Sequence, residues 1–133
     1  MKTVSFIIHG KIQPKQRPRF GRGRTYTPSK TLKSEANIAK EYTSQRGVFL
    51  TGPLKVTICN WIAVPKSYSN RKRADALGCL IYPMAVDCDN QIKTILDALN
   101  GIAYADDRQV VVLEFKRHYS TTDYTQVTIK ELK

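Results

Sequence analysis

Five of the chain's 11 acidic residues are aspartates between positions 87 and 107: Asp87, Asp89, Asp97, Asp106 and Asp107. One basic side chain, Lys93, lies among them. The rest of the chain is strongly basic, with 22 Lys and Arg and a net charge of +11. Carboxylates gathered in a protein that otherwise repels cations suit a hard divalent ion, Mg²⁺ or Mn²⁺ as its substitute. The basic surface would then hold the phosphates of a polyanion against that ion. If residues 86–88 are extended, Asp87 and Asp89 point to one side. Two unpaired carboxylates there would repel and raise one pKa, which a cation relieves. The alternative is structural: Asp89 or Asn90 caps a helix and Asp106-Asp107 makes an Asp-rich turn. Lys93 also has two readings. It touches a phosphate or the charge that develops in a transition state, or it is an ordinary i,i+4 partner of Asp89 or Asp97.

The positive charge is unevenly spread. Nine Lys or Arg precede the first acid, Glu35. Residues 10–28, GKIQPKQRPRFGRGRTYTP, hold three prolines and three glycines. That density argues for an irregular cationic loop. Lys11, Lys15, Arg17, Arg19, Arg22 and Arg24 are its candidate DNA contacts. A second basic cluster, Arg71-Lys72-Arg73, lies in residues 65–86, read as another loop with a short helical turn around 70–77. A pI near 9.8 with this asymmetry points to nucleic acid as the partner.

The elements that must carry these residues can be read from periodicity. TVSFIIH, residues 3–9, alternates as a strand does. Ser29 can cap a helix to about Arg46, with Leu32, Ala36, Ala39 and Tyr42 or Thr43 near one face. Residues 54–64 form the clearest central strand. In the next helix, residues 90–100, Ile92, Ile95, Leu96 and Leu99 make one apolar face. Lys93, Asp97 and Asn100 point elsewhere, and Gly101 stops the helix. Residues 109–117 and 124–131 read as two strands, and HYSTTD between them suits a hairpin. The order β-α-β-α-β-β implies an α+β fold over 1–133. It would be a single two-layer domain with a mixed sheet and helices mainly on one face.

Composition excludes several classes. Apolar residues make up 41% of the chain, enough for a core. No run approaches 18 apolar residues, so no membrane association is expected. The apolar N-terminal run leads into charge and Pro rather than a cleavage site, so no secretory signal is expected. Cys59, Cys79 and Cys88 lack CxxC spacing and read as reduced thiols of a cytoplasmic protein. Ser, Cys and His form no triad pattern.

The run VDCDNQIKTILDALNGIAYADDRQVV resembles the signature of the RusA family of Holliday-junction resolvases. Its parts are DxDN, a Lys three residues after the Asn, a helix with DAL, then NG, then a DD-QVV segment. KIQPKQRPRFGRGRTYTP is similar to the family's basic opening segment. The resemblance covers residues 10–30 and 86–112. It departs at Tyr82–Val86, where some members carry arginines. The resemblance implies a homodimeric, Mg²⁺-dependent endodeoxyribonuclease of phage or bacterial recombination and repair. Such an enzyme nicks branched DNA, the four-way junction, symmetrically. It maps the catalytic and metal-binding acids onto Asp87, Asp89 and Asp107, with Asp106 in support, and the catalytic lysine onto Lys93. Rival readings are a non-catalytic nucleic-acid binder, a metal-dependent nucleotidyl- or glycosyltransferase, and a general structure-specific or flap nuclease.

Overall fold

Leu54, Val56, Ile58 and Asn60 alternate with half-exposed neighbours and are buried on one side of a single strand. Such alternation builds a sheet with one covered face. The computed structural model describes residues 1–13, 19–21, 24–26, 29–84 and 87–133. Its elements are β1 (Thr3–His9), β2 (Arg19–Gly21), β3 (Arg24–Tyr26), α1 (Ser29–Ser44), β4 (Leu54–Ala63), α2 (Asn70–Leu77) and α3 (Cys88–Leu99). A 3₁₀ turn at Asp107–Gln109 then leads into β5 (Val110–Ser120), and β6 (Tyr124–Glu131) ends the fold. The expected two-layer α+β architecture is present. A mixed four-stranded sheet has the order β1-β6-β4-β5. Its core rows, among them Val4, Phe6, Ile8, Val56, Ile58, Val127 and Ile129, pack with Ile38 and Tyr42 of α1 and Ile95, Ala98 and Leu99 of α3.

Three expectations are corrected. The segment read as wholly irregular contains a small hairpin. There β2 pairs antiparallel with β3, Arg19 opposite Tyr26 and Gly21 opposite Arg24. Gly21, one of the glycines that argued against regular structure, is paired within β2.

The last two strands do not pair with each other. β5 runs parallel to β4, and β6 lies antiparallel on β4's other side. Residues 121–123 cross the end of β4. Val64 donates its N–H to the Ser120 carbonyl at 3.0 Å, and Ala63 donates to the Asp123 carboxylate at 2.9 Å. Two strand spacings are about 9.6 Å, which a four-bond step at about 3.3 Å per residue spans. A short polar link thus serves a crossing as well as a hairpin.

The buried stripe of α1 is Thr31, Ile38 and Tyr42, whereas Leu32 and Ala36 are exposed. Tyr42 sets this rotation. Its ring meets Phe6 edge-on at 5.0 Å, and its hydroxyl donates to the Val48 carbonyl. A Cβ on Gly47 would stand 2.1 Å from the Tyr42 ring, so the chain after α1 needs glycine there.

Glu131 fastens three segments at the far end of the sheet. It accepts the N–H of Lys2 at 2.8 Å and of Thr51 at 2.9 Å. The Thr51 bond first, then that of Lys2, holds its carboxyl below the ordinary 4.5. A lowered acid stabilises the fold above its unfolded-state pKa, and that contribution is lost as pH falls through the lowered value. Glu131→Gln should therefore lower the melting temperature at pH 7. The gap to the parent should close as pH drops below 4.5. A gap that stays constant down to the acid transition would refute this role for the charge.

Candidate active site

α3 is the element on which the site is built. Its apolar face, Ile95, Ala98 and Leu99, is buried, with Ile92 and Leu96 partly so. Asp89, Lys93 and Asp97 recur every four residues and form a polar stripe on its exposed side. The helix begins earlier than expected. Asp87 is its N-cap, without a side-chain cap bond, and Cys88 and Asp89 are already helical. Asp89 accepts the N–H of Asn90 at 2.9 Å. Because strand alternation does not apply across Asp87–Asp89, two residues at helical pitch do not share a side. Val86, which that expectation also involved, lies outside the described residues.

The chain then folds back along α3. Gly101 takes a φ of +78°, a left-handed turn that suits glycine. Ala103 donates its N–H to the Leu99 carbonyl at 2.9 Å, and Leu50 donates to the Ala103 carbonyl at 2.7 Å. Tyr104 is fully buried, and its hydroxyl donates to the Leu96 carbonyl at 2.7 Å. Burial, then the charges of Asp107, Asp97 and Asp106, push its phenol far up, so it stays a donor.

Asp106 and Asp107 part company chemically. Asp106 caps the 3₁₀ turn, accepting the Arg108 N–H at 2.8 Å. Gln109 answers by accepting the N–H groups of Ala105 at 3.0 Å and Asp106 at 3.1 Å. This is a capping box. The Arg108 N–H in particular holds the Asp106 carboxyl low. Asp107 goes the other way. Partial burial raises it first, then a side-chain hydrogen bond and the charge of Asp106, then Asp97, while Lys93 pulls it down. Asp107, Asp106, Asp97 and Lys93 therefore act on one another.

Asp87 and Asp89 sit exposed at the start of α3. Among the described residues no three His, Cys, Asp or Glu side chains cluster closely enough to hold a metal ion. The donor chemistry is nevertheless right for Mg²⁺, which takes hard oxygen ligands and commonly uses one or two carboxylates plus substrate phosphates. Repulsion around Asp107 is what such a cation would relieve.

The basic candidates divide. Lys11 is exposed, Lys15, Arg17 and Arg22 lie outside the described residues, and Arg19 and Arg24 belong to β2 and β3. Where that segment leaves β1 it is tied to the same helix as the acids. Thr94 donates its hydroxyl to the Gln13 carbonyl at 2.9 Å. Arg71 and Lys72 are exposed on α2, and Arg73 is half-buried there. Ser69 caps that helix by accepting the Lys72 N–H at 3.2 Å. Lys72 also lies over the Tyr68 ring, 4.1 Å from its centre.

A family model described as Endodeoxyribonuclease RusA matches residues 9–130. The chain belongs to the RusA endodeoxyribonuclease family. Among relatives of this RusA-family chain is the uncharacterized protein YqaN of Bacillus subtilis (strain 168). It is 31% identical over 140 residues, covering 99% of each chain. The matched span takes in α3, the fold-back and the 3₁₀ turn together. Among the described residues no helix is long and apolar enough to cross a membrane.

Sequence reasoning read Asp97 only as an i,i+4 partner of Lys93, and passed over Tyr104 and Gln109. For Gln109 the available signal was Asp-x-x-Gln, a capping-box pattern. Tyr104 carried no such signal, because its role depends on the chain folding back onto α3.

A raised acid binds its proton more tightly folded than unfolded, so its charged form costs stability at neutral pH. In metal-free buffer Asp107→Asn should melt above the parent at pH 7. The advantage should vanish as pH falls below the ordinary 3.8. An equal or lower melting temperature at pH 7 would contradict the repulsion.

Proposed function

We propose that this RusA-family chain is a Mg²⁺-dependent Holliday-junction resolvase that acts as a two-fold homodimer in DNA recombination and repair. What carries the reading is the grouping of Asp106 and Asp107, in the 3₁₀ turn, with Asp97 and Lys93 of the helix that also anchors the root of the basic segment. That arrangement sets phosphate-binding charge beside acids, in a chain matched to an endodeoxyribonuclease family.

Each residue has a part. Asp87, Asp89 and Asp107 hold the ion against a phosphodiester, with Asp106 in support. Bound Mg²⁺ supplies Lewis-acid charge stabilisation and makes a ligated water more acidic. Lys93 presents its ammonium beside Asp107, where it stabilises negative charge developing on phosphate oxygens. Asp97, one turn on, lies on the same side of α3 as that ammonium. The cationic residues from Lys11 to Arg24, with Arg71, Lys72 and Arg73, hold the flanking backbone. A four-way junction has approximate two-fold symmetry, which a closed pair of identical subunits matches.

A synthetic four-way junction, incubated with and without Mg²⁺, tests the reading. Paired nicks only with the metal are expected. Asp87→Asn and Asp107→Asn should abolish cleavage while junction binding persists. Lys93→Ala should slow the single-turnover rate at saturating protein with little change in affinity. Binding without cleavage would favour the non-catalytic reading, and equal cutting of flaps a general structure-specific nuclease.

Salt dependence tests the footprint separately. Each duplex phosphate contact adds about 0.9 to the slope of log affinity against log salt. Changing Arg17, Arg19 and Arg22 together to Ala should flatten that slope by up to about 3. Identical slopes for parent and variant would move the footprint to α2.

A further inference from the structure

The chain between α2 and α3 turns apolar side chains outward in alternation. Leu80 is 74% exposed, Tyr82 60% and Met84 98%, while Ile81 is half-buried and Pro83 is buried. Single exposed apolar residues are ordinary on a surface, but three on one short arm mark a contact surface. The arm is held at its root. Cys79 takes a φ of +62°, Leu80 donates its N–H to the Asp75 carbonyl at 2.9 Å, and Cys79 Sγ lies 3.9 Å from His118 Nδ1. Asp87 follows three residues after Met84, so their Cα atoms lie within about 11 Å of each other.

Tyr82 is also the exposed end of a row of rings. On the sheet face opposite the helices, Tyr124 of β6, Trp61 of β4 and His118 of β5 stand at paired positions. Tyr124 and Trp61 are stacked 5.8 Å apart, and Trp61 and His118 lie 4.9 Å apart, tilted by 32°. Tyr82 adds its ring 5.6 Å from His118. The other three rings are half-buried. Cations flank this apolar end. Arg71 and Lys72 are exposed on α2, the helix the arm leaves, and Lys116 is exposed on β5, two residues before His118. Residues 78–84 themselves carry no charge. The partner that fits is anionic along its length, and apolar and flat at the point of contact. A lipid surface offers no planar face to the row, and its headgroup phosphates would meet Asp87 and Asp89 with like charge.

We infer that the arm Leu80–Met84 is a wedge for nucleobases unstacked at a DNA branch point. The Tyr82 ring continues its row with a base, a contact open to every base type. Met84 fills the step beside it, as apolar side chains do where they part stacked bases. An intact duplex hides its base faces, so the wedge favours a junction over linear DNA. Its closeness to Asp87 then sets which phosphates near the branch reach the acids. This deepens the reading above: it rests on branched DNA as the substrate, but not on cleavage.

The test uses the whole chain in metal-free buffer, with a synthetic four-way junction and a linear duplex of the same length. Tyr82→Ala should weaken junction binding at least about fivefold, the loss expected for one base–aromatic stack. Duplex affinity and its salt slope should stay those of the parent, and Tyr82→Trp should keep the preference. Met84→Ser should lower the same preference. At 98% exposure it leaves packing untouched, so it decides the matter should Tyr82→Ala misfold. Iodouracil placed at the branch should photo-cross-link to Tyr82, and iodouracil deep in an arm should not. An unchanged preference in both variants without a cross-link would overturn the inference. So would equal losses on junction and duplex. It would also fall if the variants lost only binding to phosphatidylglycerol vesicles, or only self-association in sedimentation. A parent without preference for the junction would sink both the wedge and the resolvase reading. A preference that depends on Tyr82 without nicking in Mg²⁺ leaves the wedge standing and removes the nuclease. Nicking with a preference indifferent to both variants removes the wedge alone.

Discussion

The hydrogen bond from Tyr104 to the Leu96 carbonyl is the constraint on which the acid cluster depends. Without it, the segment after α3 has little reason to lie along the helix rather than leave it. α3 is about 18 Å long at 1.5 Å per residue, so an unreturned chain would carry Asp106 and Asp107 away from Lys93. The fold-back is fixed at its start by Gly101, in its middle by Tyr104 and at its end by Gln109, which reaches across to the Gly52 carbonyl at 3.0 Å. A fully buried phenol must find a partner, and here the partner is the helix that bears Lys93. A packing requirement thereby sets which acids lie near Lys93.

The adjacent aspartates illustrate how one turn yields two environments. Asp106 spends its oxygens on backbone N–H groups and stays readily ionised. Asp107 receives the consequence. It sits beside a charge that is fixed in place, with Asp97 a further negative neighbour and Lys93 the counterweight. A carboxyl held in that tension gains more from a cation than an isolated surface aspartate does. The capping box is therefore part of the electrostatics and not only of the turn.

Much of this was legible in the sequence, for physical reasons that can be named. Strand β6 lies at Tyr124–Glu131 as its alternation indicates, and the apolar face of α3 follows from Ile92, Ile95, Leu96 and Leu99. Both depend on local periodicity. What was not legible depends on pairing between distant segments. The link at 121–123 has the same composition whether it turns a hairpin or crosses β4, and only the sheet decides. The Asp87–Asp89 geometry failed because a helix start was read one to two residues late, and strand and helix place alternate residues on different sides. The stripe of α1 was misplaced for a similar reason. Tyr42 chooses the rotation by finding Phe6, distant in sequence, and the Val48 carbonyl just beyond the helix end.

The net charge binds these features into one problem. A chain at +11 keeps its cations apart from the apolar edge of its sheet. The stretch Val110–Leu113 is that edge, directly after the turn that carries Asp107. Cations lie elsewhere: Lys11 at the root of the basic segment, Arg71 and Lys72 on α2, Lys116 and Arg117 in the other half of β5. Segregating the two kinds of surface lets one short segment, residues 87–113, carry both the acids and the apolar strip.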